Sequence, residues 1–345
     1  MPFSARIKRL VRSYPFRVGC AALIWLIFIS SLHHYLNREH EGRKTLMMGY
    51  MPVITNMAAP ILDSASLQGH GDIRFRAMKF ASFSEMAEAF RNDRIQAAFI
   101  IAPLSIVLKQ QGEDIKIVYI GNRHESTLVT RKELNIKKFD ELEGYKIAVP
   151  LRYSGHNLVL QRLIRASGLE DVQIVEMNPP DMTSALTAGS LDAYFVGEPF
   201  AAKTIKGGES NSLFYVEQVQ QNFICNLLIV KQQLIEKDEE AVRRLVEGAA
   251  RAGLWAKKNR LEAVRICAQY WGQPADLVEY ALNTPEGRII FDKFVPSEVE
   301  MKAIADEMVD FGLIQNARIE GLVESRFALQ ADISDIKQSI STIIR

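Results

Sequence analysis

The sequence predicts an α/β fold of repeated strand–loop–helix units, preceded by an apolar segment that stands outside the fold. Three observations predict it. Lys146–Pro150 is a short apolar run closed by proline, followed by a small, polar loop and then by Leu158–Ser167, with Val159, Leu160, Leu163 and Ile164 on one helical face. The same alternation recurs on both sides of that stretch. At the amino end, Arg6, Lys8, Arg9, Arg12 and Arg17 occur without an acid, and Val18–Leu32 is then uncharged and almost wholly apolar. A chain of 345 residues is long enough for two domains with a well-buried core. Its formal net charge of +1, without a basic stripe interleaved with aromatics, sets nucleic acid aside.

Residues 1–36 read as a signal peptide or membrane anchor. The apolar run is short of the roughly 20 residues that a spanning helix needs, although His33–Leu36 would extend it to the far interface. Cleavage near Ser30 and Ser31 and retention as an anchor both stay open, and Cys20 does not close the run as a lipoprotein cysteine would. The basic flank places the amino end in the cytoplasm and the body outside. Residues 37–44 are a charged linker. Strands follow at Thr45–Tyr50, Ile73–Phe80, Gln96–Ile101, Ile115–Ile120 and Ser126–Thr130. Helices follow at Ala58–Ala65 and from Ser82, whose spacing to Glu85 is a capping box, to Arg91.

After Pro150, Ser154 is a candidate N-cap with His156 and Asn157 in the first turn, and a helix start of this kind favours anions. Val172–Val175 reads as a strand, Thr183–Ala188 as a short helix, and Asp181 and Asp192 as cap and turn residues. Glu239–Lys258 sets Val242, Leu245, Val246, Ala249 and Leu254 on one face, and helices are expected at Leu261–Tyr270, Ala275–Leu282 and Ser297–Phe311. In the tail, residues 326–345, Ile333, Ile336, Ile340 and Ile343 recur at helical intervals, which fits packing on the body or binding a partner. Cys225 and Cys267 are either one disulfide or two buried thiols. Metal-ligand spacing, a Gly-x-Ser-x-Gly elbow and a phosphate-cradling glycine loop are all missing, so catalysis, metal and cofactor find no support.

Ser154-Gly-His-Asn157, Pro179-Pro-Asp-Met182, Ala185-Leu-Thr-Ala-Gly-Ser-Leu-Asp-Ala193 and Val196-Gly-Glu-Pro-Phe200 give the sequence its resemblance. It resembles the nitrate/sulfonate/bicarbonate group of solute-binding proteins of ABC importers, over roughly Leu46–Leu313. The resemblance implies a two-lobed periplasmic-binding-protein fold of the second type. Lobe 1 would be residues 45–130 plus 228–325 and lobe 2 residues 131–227, with crossings near Leu128–Arg131 and Leu227–Lys231. It further implies hinge closure of a monomer on a small anionic solute, delivery to an ABC permease and its ATPase, and a periplasmic location with or without tethering to the inner membrane. The strand-end loops would then converge on one cleft. From the first lobe they bring Tyr50, Asn56, Ser82, Phe83, Pro103, His124 and Ser126. From the second they bring Tyr153, Ser154, Gly155, His156, Asn157 and Glu198. His156 is the sharpest candidate, Glu198 is awkward for an anion, and Arg123 and Arg152 are the available cations. Two other readings stay open: a membrane-tethered sensory module using the same cleft, and an enzyme similar to the thiamin-pyrimidine synthases, whose cysteine-rich iron motif is missing.

Overall fold

The computed structural model describes residues 14–37, 43–69 and 71–344. The chain divides into Met1–Lys44 and a compact body, Thr45–Arg345. The first unit contains helix α1 (Tyr14–Asn37). Its apolar side chains, Leu23, Ile24, Trp25 and Leu26 among them, are exposed. Arg6, Lys8, Arg9 and Arg12 and most of the expected linker lie outside the described residues. Among the described residues, no helix is long and apolar enough to cross a membrane.

The body holds two five-stranded sheets. The first has the order β2 (Ile73–Lys79), β1 (Lys44–Tyr50), β3 (Ala97–Ile101), β10 (Asn226–Lys231), β4 (Ile115–Ile120). The second runs β7 (Gln173–Glu176), β6 (Lys146–Val149), β8 (Ala193–Gly197), β5 (Ser126–Arg131), β9 (Ser210–Tyr215). β1 pairs with β3, and β6 with β7 and β8, in parallel, as strand–helix–strand units must. β3 and β8 are buried along their whole length, which is why they read as unbroken apolar runs instead of alternating ones.

One strand in each sheet is antiparallel to both neighbours, and each has just arrived from the other lobe: β5 between β8 and β9, and β10 between β3 and β4. The crossings are therefore residues 121–125 and 219–225, earlier than the sequence suggested. Leu128–Arg131 already belongs to the second sheet and Leu227–Lys231 to the first. A buried apolar strand carries no local mark of the sheet it joins, so its register reveals what its composition cannot.

Helices cover the sheets: α2 (Ala58–Gln68), α3 (Phe83–Arg91) and α4 (Ala102–Gln110) in the first lobe, and α5 (Gly155–Ser167), α6 (Pro179–Thr187) and α7 (Phe200–Gly207) in the second. α6 starts four residues before the expected Thr183, with prolines in its first turn, where a missing N–H costs nothing. The return segment adds α8 (Gln232–Lys237), α9 (Glu239–Lys258), α10 (Arg260–Trp271), α11 (Ala275–Asn283) and α12 (Glu298–Asp310).

The tail departs from the expected helix. It has one short helix, α13 (Arg326–Leu329), and a 3-10 turn at Ile340–Ile343. The cause lies on α9: Arg251 donates to the carbonyls of Asp332, Ser334 and Thr342, and Trp255 Nε1 to that of Gln338 at 2.9 Å. Those carbonyls are held by the body rather than by amides one turn on. Asp335, at φ 52°, breaks any helical path, and Ile340 and Ile343 are buried. The tail is docked. Cys225 and Cys267 are both buried free thiols.

Candidate ligand-binding site

The expected site residues fall where the two crossings and the strand-end loops of both lobes meet, but they divide into a sealed seam and an open cavity. In the seam, Ile54 N–H donates to the Glu198 carbonyl at 2.8 Å, and Asn226 Nδ2 donates to Asn56 Oδ1 at 2.9 Å. Asn56 in turn gives Nδ2 to the Met51 carbonyl, so its amide is spent on the loop and on β10.

Around His156 lies a chain of buried polar groups. Ser154 caps α5 by accepting Asn157 N–H, as the sequence predicts, and this sets His156 in the first turn. His156 Nε2 lies 2.9 Å from Ser126 Oγ, which lies 3.3 Å from Glu125 Oε1. The imidazole packs edge-on against Phe195 and Phe223, and Cys225 Sγ is 4.0 Å away. Its Nδ1 is buried and without a partner. Burial holds the imidazole neutral, down to about 3, and raises the Cys225 thiol. The pair is not a thiolate–imidazolium couple.

Glu198 is buried with both side-chain oxygens bonded inside the seam, and burial raises it above the usual carboxylate range. Oε1 accepts Thr127 Oγ1 at 2.7 Å and Oε2 accepts the Ala202 amide at 2.8 Å, in the first turn of α7. Glu125 Oε2 accepts the Glu198 amide at 2.9 Å, and burial, with Glu198 nearby, pushes Glu125 up to about 8. The cation facing these two acids is Arg288, 3.8 Å from Glu198. It donates to Thr127 Oγ1 and to the carbonyls of His124 and Ser126, pairs with Glu217 at 2.9 Å, and lies over the Tyr215 ring. Sequence reading missed Arg288 and Glu125. Arg288 sits in a loop with no motif, and Glu125 stood between two named candidates without being one.

Beside the seam is a cavity of about 460 Å³. Its walls come from α4 (Pro103), α5 (Gly155, Leu158, Val159, Arg162), the second crossing (Gln220–Ile224) and α12 (Glu300, Ala303, Ile304, Glu307). Pro103 and Gly155 stand in the first turns of α4 and α5, so two positive helix ends meet this space. Gly155 is required: a Cβ there would stand 2.8 Å from the Phe223 ring. Arg162 bridges lobes by pairing with Glu307 at 2.8 Å, and Arg123 pairs with Glu300 at 2.7 Å.

The other candidates lie elsewhere. Tyr50 is buried, with its hydroxyl 3.5 Å from the Tyr270 carbonyl. Ser82 caps α3, Phe83 is in the core and Tyr153 is half-buried. Arg152 pairs with Glu176 at the surface. His124 borders a second hollow of about 440 Å³ with Glu217, Asn222, Arg288 and Lys293. Among the described residues, no cluster of three His, Cys, Asp or Glu is placed to hold a metal ion.

Residues 39–270 match the NMT1-like family. The chain belongs to that family. This NMT1-like chain is 22% identical over 207 residues to an Escherichia coli protein named for binding aliphatic sulfonates, covering 58% of this chain and 62% of that relative. The ligand-binding component of an ABC-type import system from Staphylococcus aureus superposes with a TM-score of 0.76 at 21% identity, covering 85% of this chain and all of that one (100%). The periplasmic nitrate-binding protein NrtA of Synechocystis superposes with a TM-score of 0.72 at 14% identity, over 87% of this chain and 92% of the other. These likenesses show the two-lobed periplasmic-binding-protein fold.

Proposed function

We propose that this chain is the solute-capturing component of an ABC importer, taking a small anionic solute between its lobes and presenting the closed form to a permease and its ATPase. The observation that carries the reading is the cavity of about 460 Å³, with walls from both lobes and from a crossing. A ligand there touches both lobes at once and so biases the open–closed equilibrium. Two helix N-termini favour a negative group, the wall charges Arg162, Glu307 and Glu300 being already paired, while Leu158, Val159, Phe223 and Ile304 would cover an apolar one. The relatives named for sulfonates and nitrate support the same class of solute.

The body would work outside the cytoplasm. The apolar run of α1 fits the core of an export signal, which is either removed or kept as a tether. Sequencing the amino terminus of the protein recovered from cells decides between these. The docked tail gives no support to a sensory module that would use it to bind a partner.

The test is a thermal-shift screen of the full-length chain against nitrate, bicarbonate, alkane- and arenesulfonates, carboxylates and pyrimidine precursors. A micromolar ligand at millimolar concentration adds about 4 kcal/mol by mass action. A shift with one anionic class is the expected result. Stabilisation by none of them contradicts the import reading.

A further inference from the structure

Asn222, in the second crossing, is tied both to the first crossing and to the return segment. Its carbonyl accepts Arg123 Nη1 at 2.7 Å, its Oδ1 accepts Lys293 Nζ at 2.7 Å, and its backbone N–H donates to His124 Nε2 at 2.8 Å. Arginine and lysine keep their charge across the physiological range, so of these three ties the imidazole is the one that a proton can remove. Both partners of that tie hold left-handed backbone, Asn222 at φ 56°, which asparagine adopts readily, and His124 at φ 74°, which a histidine adopts seldom.

The partners also fix the tautomer. Asn222 offers a backbone N–H, so Nε2 must accept. The Arg288 carbonyl, 3.2 Å from Nδ1, can only accept, so Nδ1 must donate. A neutral ring with its proton on Nδ1 satisfies both. A second proton goes to Nε2 and puts two donors face to face.

We propose that His124 is a proton-operated latch between the crossings: protonation breaks its bond to Asn222, leaves the Arg123 and Lys293 contacts in place, and so loosens the second crossing at Asn222 and lowers the cost of parting the lobes. The proposal holds whatever solute the cavity takes. Charged groups face the ring from each element around it. Arg288, paired with Glu217, comes from the return loop. Arg123, paired with Glu300, comes from the first crossing, where Glu125 follows the ring in sequence, and Lys293 borders the same hollow. Burial holds the imidazole below the usual histidine range. The Arg288 carbonyl and Glu217 offset this in part, and the Arg288 and Arg123 guanidinium groups add to it. The sign follows: the neutral, bonded ring is present at neutral pH and is lost as pH falls through the depressed pKa.

The test is an NMR titration of the full-length chain, with labelled histidine, from about pH 8 to about pH 5, alongside hydrogen exchange of the Asn222 amide. Protonation of His124 is expected to coincide with loss of protection at Asn222, with opening rising about tenfold per pH unit below the ring's pKa. His124→Gln keeps a donor and an acceptor but cannot titrate, and its Asn222 amide should stay protected throughout. The proposal is overturned if His124 protonates while Asn222 stays protected, if the ring remains neutral over the whole range, or if His124→Gln loses protection at the same pH as wild type. Should that variant not fold, the wild-type titration decides alone.

Discussion

The seam and the cavity are built from neighbouring residues of the same crossings and helices, yet they spend their polar groups in opposite ways. In the seam, Glu125, Glu198, Ser126, Thr127 and Arg288 satisfy one another, and the positive end of α7 is taken by Glu198. In the cavity, the first turns of α4 and α5 line open space although each end is partly capped, by the Cys225 carbonyl and by Ser154, and the ion pairs of Arg162 and Arg123 sit at the wall. The lesson is that a polar residue on a strand-end loop of such a fold serves either to weld the lobes or to meet a solute. Neighbours decide which, and residue type does not.

The contrast can be broken from either side. Arg288→Met should give the largest effect. It leaves Glu198 and Glu217 without their buried partner, and removing one side of such a pair costs about 3–5 kcal/mol. Chemical denaturation of the body checks this, and a loss below about 1 kcal/mol would mean the acids are already neutral or solvated. Gly155→Ala comes next. Its Cβ, 2.8 Å from Phe223, overpacks the boundary between seam and cavity at about 1–3 kcal/mol and should weaken solute binding by displacing the ring into the cavity.

Two pH effects follow in size. Glu125 is raised to about 8 from 4.5, so the folded state binds the extra proton between those values and stability declines as pH rises through that window. The slope approaches at most about 1.4 kcal/mol per unit, and Glu125→Gln should flatten it in melting curves taken across the range. His156 acts in the opposite direction. Its folded pKa of about 3 lies below the unfolded 6.5, so its contribution is complete above 6.5 and declines as pH falls toward 3. His156→Phe should remove that acid-side slope.

Much of the body could be read from the sequence, and the failures have physical causes. The α/β alternation, the caps at Ser82 and Ser154 and the apolar face of α9 are local features, and local spacing specifies them. Sheet membership of Ser126–Arg131 depends on pairing with residues some seventy positions away, such as Val129 with Tyr194, which no local pattern encodes. Of the tail isoleucines spaced at a helical interval, Ile340 and Ile343 are buried by a 3-10 turn, Ile336 is partly buried and Ile333 is exposed, because a few apolar contacts do not require continuous helix. At the site, Ser126, His156 and Glu198 do come together, but in the seam. Arg288 and Phe223, which shape what surrounds them, lacked a motif to announce them.

The central claim is that a solute is held in the cavity between α4, α5, the second crossing and α12. Its most direct test pairs the stabilising anion from the screen with wild type and Ala303→Trp. Ala303 is an exposed position on the cavity wall, so the indole should fill the space while changing stability by less than about 0.5 kcal/mol. Calorimetric titration should then show binding to wild type and none to the variant. Undiminished binding to Ala303→Trp, with its melting temperature unchanged, would contradict the placement of the solute.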